Sequence, residues 1–435
     1  MRNFSRLRRI VMRLRATVTL PAAAAAASLA VIVAFAPPAA ADLAPEKTGT
    51  VVELPARPGP HWFWISDVLL HRTSLYDGDD GRLLGTINSG SAGTGFVIFP
   101  LFSPAHDEIY IAETYWSRGI RGDRTDVVTV YDAKTLRPKA EIPIPAKRGE
   151  YFPGNAANAL SDDGRFMAVF NITPATSLSI VDVKERRFVE EVESPGCSLA
   201  YAAGPRRFFM LCANGSALVI DLDDAGHVAK AARSDVFFDA AKDPVTEKAV
   251  RRGNQWIFVS YEGVIHTIDV GEPQLAFGQA WPLLDDSDRK DRWRVGGLQS
   301  LAVHSASGRL YALMHQGPPG THKDPGTEIW VYDLAQKKRV QRIAVPNPNV
   351  SFLADQAKMG SVESEGFGAR ATRALLGMVL PNPGVERMIV TQGDKPLLVT
   401  SSGFPPTITI HDAQTGEVRH EVSEPGLGFS LLFTP

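Results

Sequence analysis

Two cysteines, ten histidines and a few adjacent acid pairs are the side chains from which this 435-residue chain could assemble a reactive site. Cys197 and Cys212 are the only cysteines, fifteen positions apart. A nucleophilic or redox thiol needs a neighbouring base, cation or second thiol to lower its pKa. Neither cysteine sits in a Cys-x-x-Cys or has a histidine close in sequence. The histidines are scattered, none two or four residues from another, so no strand or helical turn offers paired imidazoles to a metal. Asp162-Asp163 and Asp285-Asp286 lie among turn-forming residues, where carboxylates are solvated or accept backbone N–H bonds. There is no Gly-x-Ser-x-Gly elbow, phosphate-cradling glycine loop or Cys-x-x-Cys-His haem attachment. The residues therefore describe a platform that lacks a self-sufficient active site.

The elements that would form such a platform repeat. Apolar strands end on an aspartate at Asp77, Asp132, Asp182, Asp221, Asp269, Asp333 and Asp412, each followed by a short polar turn and another strand. An aspartate suits this place because its carboxylate accepts N–H bonds from the turn that reverses the chain. Seven units at a rough period of fifty residues, with almost no sustained helical periodicity, predict an all-β, seven-bladed β-propeller. A ring of blades must close without a bare sheet edge. One blade is therefore expected to combine strands from both ends of the chain, with residues 428–433 as the closing strand. The stretch 347–384 breaks the pattern and reads as an insertion on one rim, partly helical, either a bland excursion or a binding element.

Residues 1–41 are read as a secretory signal peptide. Arg2, Arg6, Arg8, Arg9, Arg13 and Arg15 precede an apolar run from Ala16 to Ala36 and a small-residue cleavage site before Asp42. The run is also long enough for an uncleaved anchor, and Arg8-Arg9 loosely resembles a twin-arginine signal. Loss of those six arginines leaves the mature domain, residues 42–435, with a formal charge of −8 in place of −2. That balance has no electrostatic footprint for nucleic acid. An exported chain meets an oxidising compartment, where two cysteines on adjacent strands are expected to form one disulfide.

Several stretches resemble a known family. Tyr115–Asp132 (Tyr-Trp-Ser-Arg-Gly-Ile-Arg-Gly-Asp-Arg-Thr-Asp-Val-Val-Thr-Val-Tyr-Asp) closely resembles the large subunit of tryptophan tryptophylquinone-dependent amine dehydrogenases, the methylamine and aromatic amine enzymes. So do Pro174–Val183, Trp293–Gly297, Gly320–Lys323 with Glu328–Asp333, and Lys395–Leu398 with Ile410–Ala413. Asn171–Thr176 and Gly320–Lys323 lean toward the aromatic-amine branch. The resemblance implies a periplasmic α2β2 assembly in which a small, disulfide-dense subunit carries the tryptophan tryptophylquinone and the catalytic base. A small copper protein of the amicyanin or azurin type would take the electrons. The large subunit would shape the substrate channel, dock the small subunit and carry the family disulfide at Cys197 and Cys212. It also implies a phenylalanine bordering the amine pocket, placed at Phe96 by counting back from Glu108. An aromatic wall there would exclude water and limit the side chain admitted. Phe99 and Phe102 lie close by, so a plain core role for Phe96 stays open. The glycine-rich approach Ser89–Gly95 and the 347–384 stretch depart from the family. They leave a second reading, a stand-alone periplasmic propeller that scaffolds or binds a ligand without a quinone partner.

Overall fold

The structure, a computed structural model, describes residues 53–67, 69–88, 99–149, 155–357, 366–423, 426 and 430–435. Its strands form seven antiparallel sheets arranged as the blades of a β-propeller. Blade 1 joins Trp62–Asp67, Arg72–Asp77 and Leu83–Asn88 to the C-terminal Ser430–Phe433, which pairs with Trp62–Asp67 and closes the ring. Blade 2 is Leu101–Phe102, Glu108–Trp116, Arg124–Asp132 and Pro138–Ile144. Blade 3 is Asn158–Leu160, Phe166–Asn171, Ser177–Asp182 and Arg187–Glu193, and blade 4 is Cys197–Ala202, Arg207–Cys212, Ala217–Leu222 and Val228–Arg233. Blade 5 uses Val250–Arg252, Gln255–Val259 and Val264–Asp269, with Ala276–Phe277 and Trp281–Pro282 sharing the outer edge. Blade 6 splits its inner strand into Trp293–Val295 and Leu301–His304, followed by Arg309–Gln316, Glu328–Asp333 and Lys338–Ala344. Blade 7 is Arg387–Val390, Leu397–Ser401, Thr407–Asp412 and Val418–Ser423.

This strand order sorts the connections into two faces. Antiparallel strands numbered outward from the axis put the second-to-third-strand loops and the links between blades on one face, here the loop face. The third-to-fourth-strand turns lie on the other, the turn face. Burial follows from the same geometry. The middle strands are sandwiched between neighbouring blades, so Phe166–Asn171 and Ser177–Asp182 bury every residue. An outer strand has water on one side, and Lys338–Ala344 alternates accordingly.

The repeated aspartates build the turn face. Asp132 Oδ1 accepts from the backbone N–H groups of Lys134 and Thr135 at 3.1 and 2.9 Å, and Asp412 Oδ1 accepts from Gln414 and Thr415, both at 2.9 Å. Asp77, Asp182, Asp269 and Asp333 each receive one or two such bonds. These bonds, led by that from Thr135, hold the Asp132 carboxyl below its usual pKa. Four residues after the aspartate the backbone turns left-handed in five blades, at Gly81, Leu136, Arg186, Lys337 and Gly416. The strand bulges just before each of these aspartates, as at Val130/Tyr131 and Ile410/His411. Asp221 departs from the expectation. Its carboxylate pairs with Arg207, and Asp223 accepts the turn N–H bonds of Ala225 and His227 instead.

Neighbouring blades are joined by aromatic and ionic contacts. Tyr201 stacks on Phe209 and meets Phe258 of the next blade, with ring centroids 5.0 and 5.2 Å apart. Trp256 of blade 5 donates its indole N–H to the carbonyl of Ala202 in blade 4 at 2.8 Å. The buried Glu108 carboxylate is reached by Lys139 of its own blade at 2.9 Å and by Arg186 of blade 3. Burial alone would raise its pKa, but these two cations and the Tyr110 hydroxyl hold it down to about 2.

Candidate functional site

The cysteine pair, the Tyr115–Asp132 hairpin, Asn171–Thr176 and Gly320–Lys323 reach the loop face, whereas Lys395–Leu398 and Ile410–Ala413 run to the turn face. Cys197 opens the inner strand of blade 4 and Cys212 ends its neighbour, directly opposite in register. They form a disulfide, as expected. The bridge lines an open bowl with Leu199, Leu211, Phe238, Val245 and Leu298, while Glu247 and Lys323 supply its charge. The bowl is thus mainly apolar.

The Gly320–Lys323 segment enters this bowl as a pinned loop. Thr321 pairs with the His315 ring at 2.8 Å, and the His322 ring stacks on Tyr261 with centroids 3.6 Å apart. Beneath it the buried Lys248 donates to the carbonyl of Gly297 at 2.7 Å, tying blade 5 to blade 6. Burial lowers the pKa of Lys248 and, helped by the nearby lysines, that of His322. Lys248 is committed to holding loops, since it also reaches the carbonyl of His322 at 3.4 Å.

The hairpin carrying the Tyr115–Asp132 motif rises from blade 2 on the same face. Asp126, 1% exposed, accepts from Thr114 at 2.9 Å, from Arg124 at 2.8 and 2.7 Å, and from the backbone N–H of Arg148 at 3.0 Å. Arg124 also donates to the carbonyl of Arg148, and the equally buried Arg148 guanidinium donates to Thr114 at 2.8 Å. This closed network locks the hairpin to the link between blades 2 and 3. One strand position from Thr114, buried Glu113 accepts from the hydroxyls of Thr129, Tyr115 and Tyr131. The motif therefore positions loops. The burial of Arg148 gave no sequence signal, because it lies outside the motif and meets it only in the fold.

The loop face is also where apolar surface is left in water. Among the described residues, the most exposed large apolar side chains include Leu69, Leu70, Ile120, Ile172, Val236 and Phe404, together with a group in the 347–384 stretch. All of these belong to second-to-third-strand loops or to links between blades. Only Leu83 and Val340 in that set lie on outer strands toward the turn face.

The acid pairs are structural. Asp162 pairs with Arg251 of blade 5, and Asp163 accepts from Ser161 and from the backbone of Arg165. Asp285 caps the short helix Asp286–Lys290 by accepting from the N–H of Asp288 at 2.9 Å. Among the described residues no group of three or more His, Cys, Asp and Glu side chains is placed to hold a metal ion. No helix among them is long and apolar enough to cross a membrane. Phe96 and the region 1–41 lie outside the described residues.

Comparison with known proteins agrees with this geometry. A heavy chain of methylamine dehydrogenase from Methylophilus methylotrophus is 26% identical over 372 residues, covering 83% of this chain and 80% of its own. That of Methylorubrum extorquens is 26% identical over 423 residues, covering 95% and 93%. The crystal structure of a functionally unknown protein from Desulfotomaculum acetoxidans shares the fold, with a TM-score of 0.51 at 10% identity over 83% of this chain and 95% of that one. The sequence profile of the methylamine dehydrogenase heavy chain (MADH) family matches residues 67–356, well over half of the sequence, and the chain belongs to that family.

Proposed function

We propose that this chain is the large subunit of a periplasmic quinoprotein amine dehydrogenase and does not itself carry the cofactor. Residues 1–41 are its export signal, and residues 42–435 are the propeller with its 347–384 insertion. The enzyme converts a primary amine to aldehyde and ammonia and passes the electrons to a small copper protein of the amicyanin or azurin type. Tryptophan tryptophylquinone, borne by a small subunit in an α2β2 assembly, supplies the electrophile and the two-electron acceptor. Methylamine is the substrate named for the relatives. The observation that carries this reading is the loop face. It combines unpartnered apolar side chains, an apolar bowl and pinned loops, a surface suited to a partner.

In this reading the chain's own work is to dock, orient and exclude water. Phe96 borders the amine pocket and limits the volume for the amine side chain. In the assembled enzyme, Phe96→Ala should favour a phenethylamine over a small alkylamine by about 1–3 kcal/mol in relative kcat/KM, the worth of one apolar pocket contact. The ratio cancels general losses. An unmoved ratio, accompanied by a stability loss of roughly 3–5 kcal/mol from a core cavity, would place Phe96 between the blades instead. Amine-dependent dye reduction with and without the small partner tests the division of labour itself.

A further inference from the structure

The link between blades 6 and 7 carries two helices, Pro348–Gln356 and Phe367–Val379. The second begins beyond residue 356, where the family match ends. A surface helix ordinarily buries its apolar stripe and shows its polar face to water. This one leaves most of its large apolar residues in water and turns one arginine inward. Its inward positions are Ala369, Arg373 and Leu376, and none of its residues is fully buried. Arg373 pairs with Glu421 on the outer strand of blade 7 at 3.0 Å, both largely buried, and Ser351 of the first helix bonds the same carboxylate. Asn347 and Asn349 close the base by donating to the carbonyls of Leu380 and Pro381. The helix is thus held by a polar clamp. Phe367, Leu375, Met378 and Val379, between 64% and 89% exposed, face away from the propeller.

Their spacing, with Ala371 and Ala374 between, is that of an anchor helix laid into an apolar groove of a partner. We infer that this helix is a docking element for the small subunit, added beside the loop-face surface; the inference rests on the function proposed above. Three observations select that occupant. The helix springs from a loop-face link, and the same blade exposes Phe404 on that face, so the apolar surface extends toward the rim. Self-pairing with a second copy is disfavoured, because the helix contains arginines and no acid to complement them. A lipid surface calls for a cluster of cations on the polar side, whereas Arg373 is consumed by Glu421 and Arg370 alone remains outward.

The test uses Leu375→Asp with Met378→Asp in the full chain, purified from the native host. Both positions are exposed, so circular dichroism and the thermal midpoint should match wild type. Wild type should co-elute with a small, cysteine-rich chain, and the variant should lose at least tenfold of it at equal concentration. Retention of the small chain by the variant overturns the inference while leaving the proposed function standing. Loss of a second copy alone, or loss of vesicle binding with the small chain retained, also overturns it. Wild type that brings down no small chain overturns the proposed function, and the docking helix with it.

Discussion

Asp126→Ala should destabilise the propeller by roughly 3–5 kcal/mol, the usual cost of stripping one partner from a buried ion pair. Asp126 receives both Arg124 and the Arg148 backbone, and the Arg148 guanidinium lies against the same Thr114 hydroxyl. Removing the carboxylate leaves the mostly buried Arg124 without its anion and frees the base of the hairpin from the link between blades 2 and 3. Asp126→Asn should cost less, because the amide oxygen still accepts from Thr114 and Arg124. Urea unfolding of the two variants beside wild type measures the difference. A loss below about 1 kcal/mol for the alanine variant would mean that the network does not lock the loop face.

Removing the disulfide should have the next largest effect. The bridge closes a fifteen-residue separation, and in the chain-entropy account a loop of that size contributes about 3 kcal/mol. Cys197→Ser with Cys212→Ser should lower stability by about 2–4 kcal/mol. It should also loosen the bowl that the bridge lines and weaken retention of the small subunit, leaving the propeller folded. Thiol titration of denatured, unreduced wild type should find no free thiol; two would contradict the bridge.

The propeller was legible because its signal is local and repeated. A strand ending in aspartate, followed by a turn, encodes both the bulge and the left-handed residue four positions on, and five of the turns keep that form down to Gly81 and Gly416. Asp221 shows the limit of such a reading. The bulge in blade 4 falls between Asp221 and Leu222, so the turn passes to Asp223 and the Asp221 carboxylate pairs with Arg207. Ring closure by Ser430–Phe433 was also readable, since a bare inner edge would be costly. What sequence reasoning missed is long-range. Nothing near Asp126 announces Arg148, which reaches it from another blade connection. The sequence leaves the helix in the 347–384 stretch open between a bland excursion and a binding element, because its apolar residues would fit a buried face equally well. Only Glu421, which receives Arg373 from the far end of blade 7, fixes which side points outward.

The central claim is that the chemistry is not in this chain. The direct measurement is amine-dependent dye reduction, made on the chain as isolated from its host with whatever small subunit accompanies it and again after the two are separated. Activity and quinone absorbance are expected in the complex, to be absent from this chain alone, and to travel with the small subunit. Amine oxidation by the isolated large chain would contradict the account.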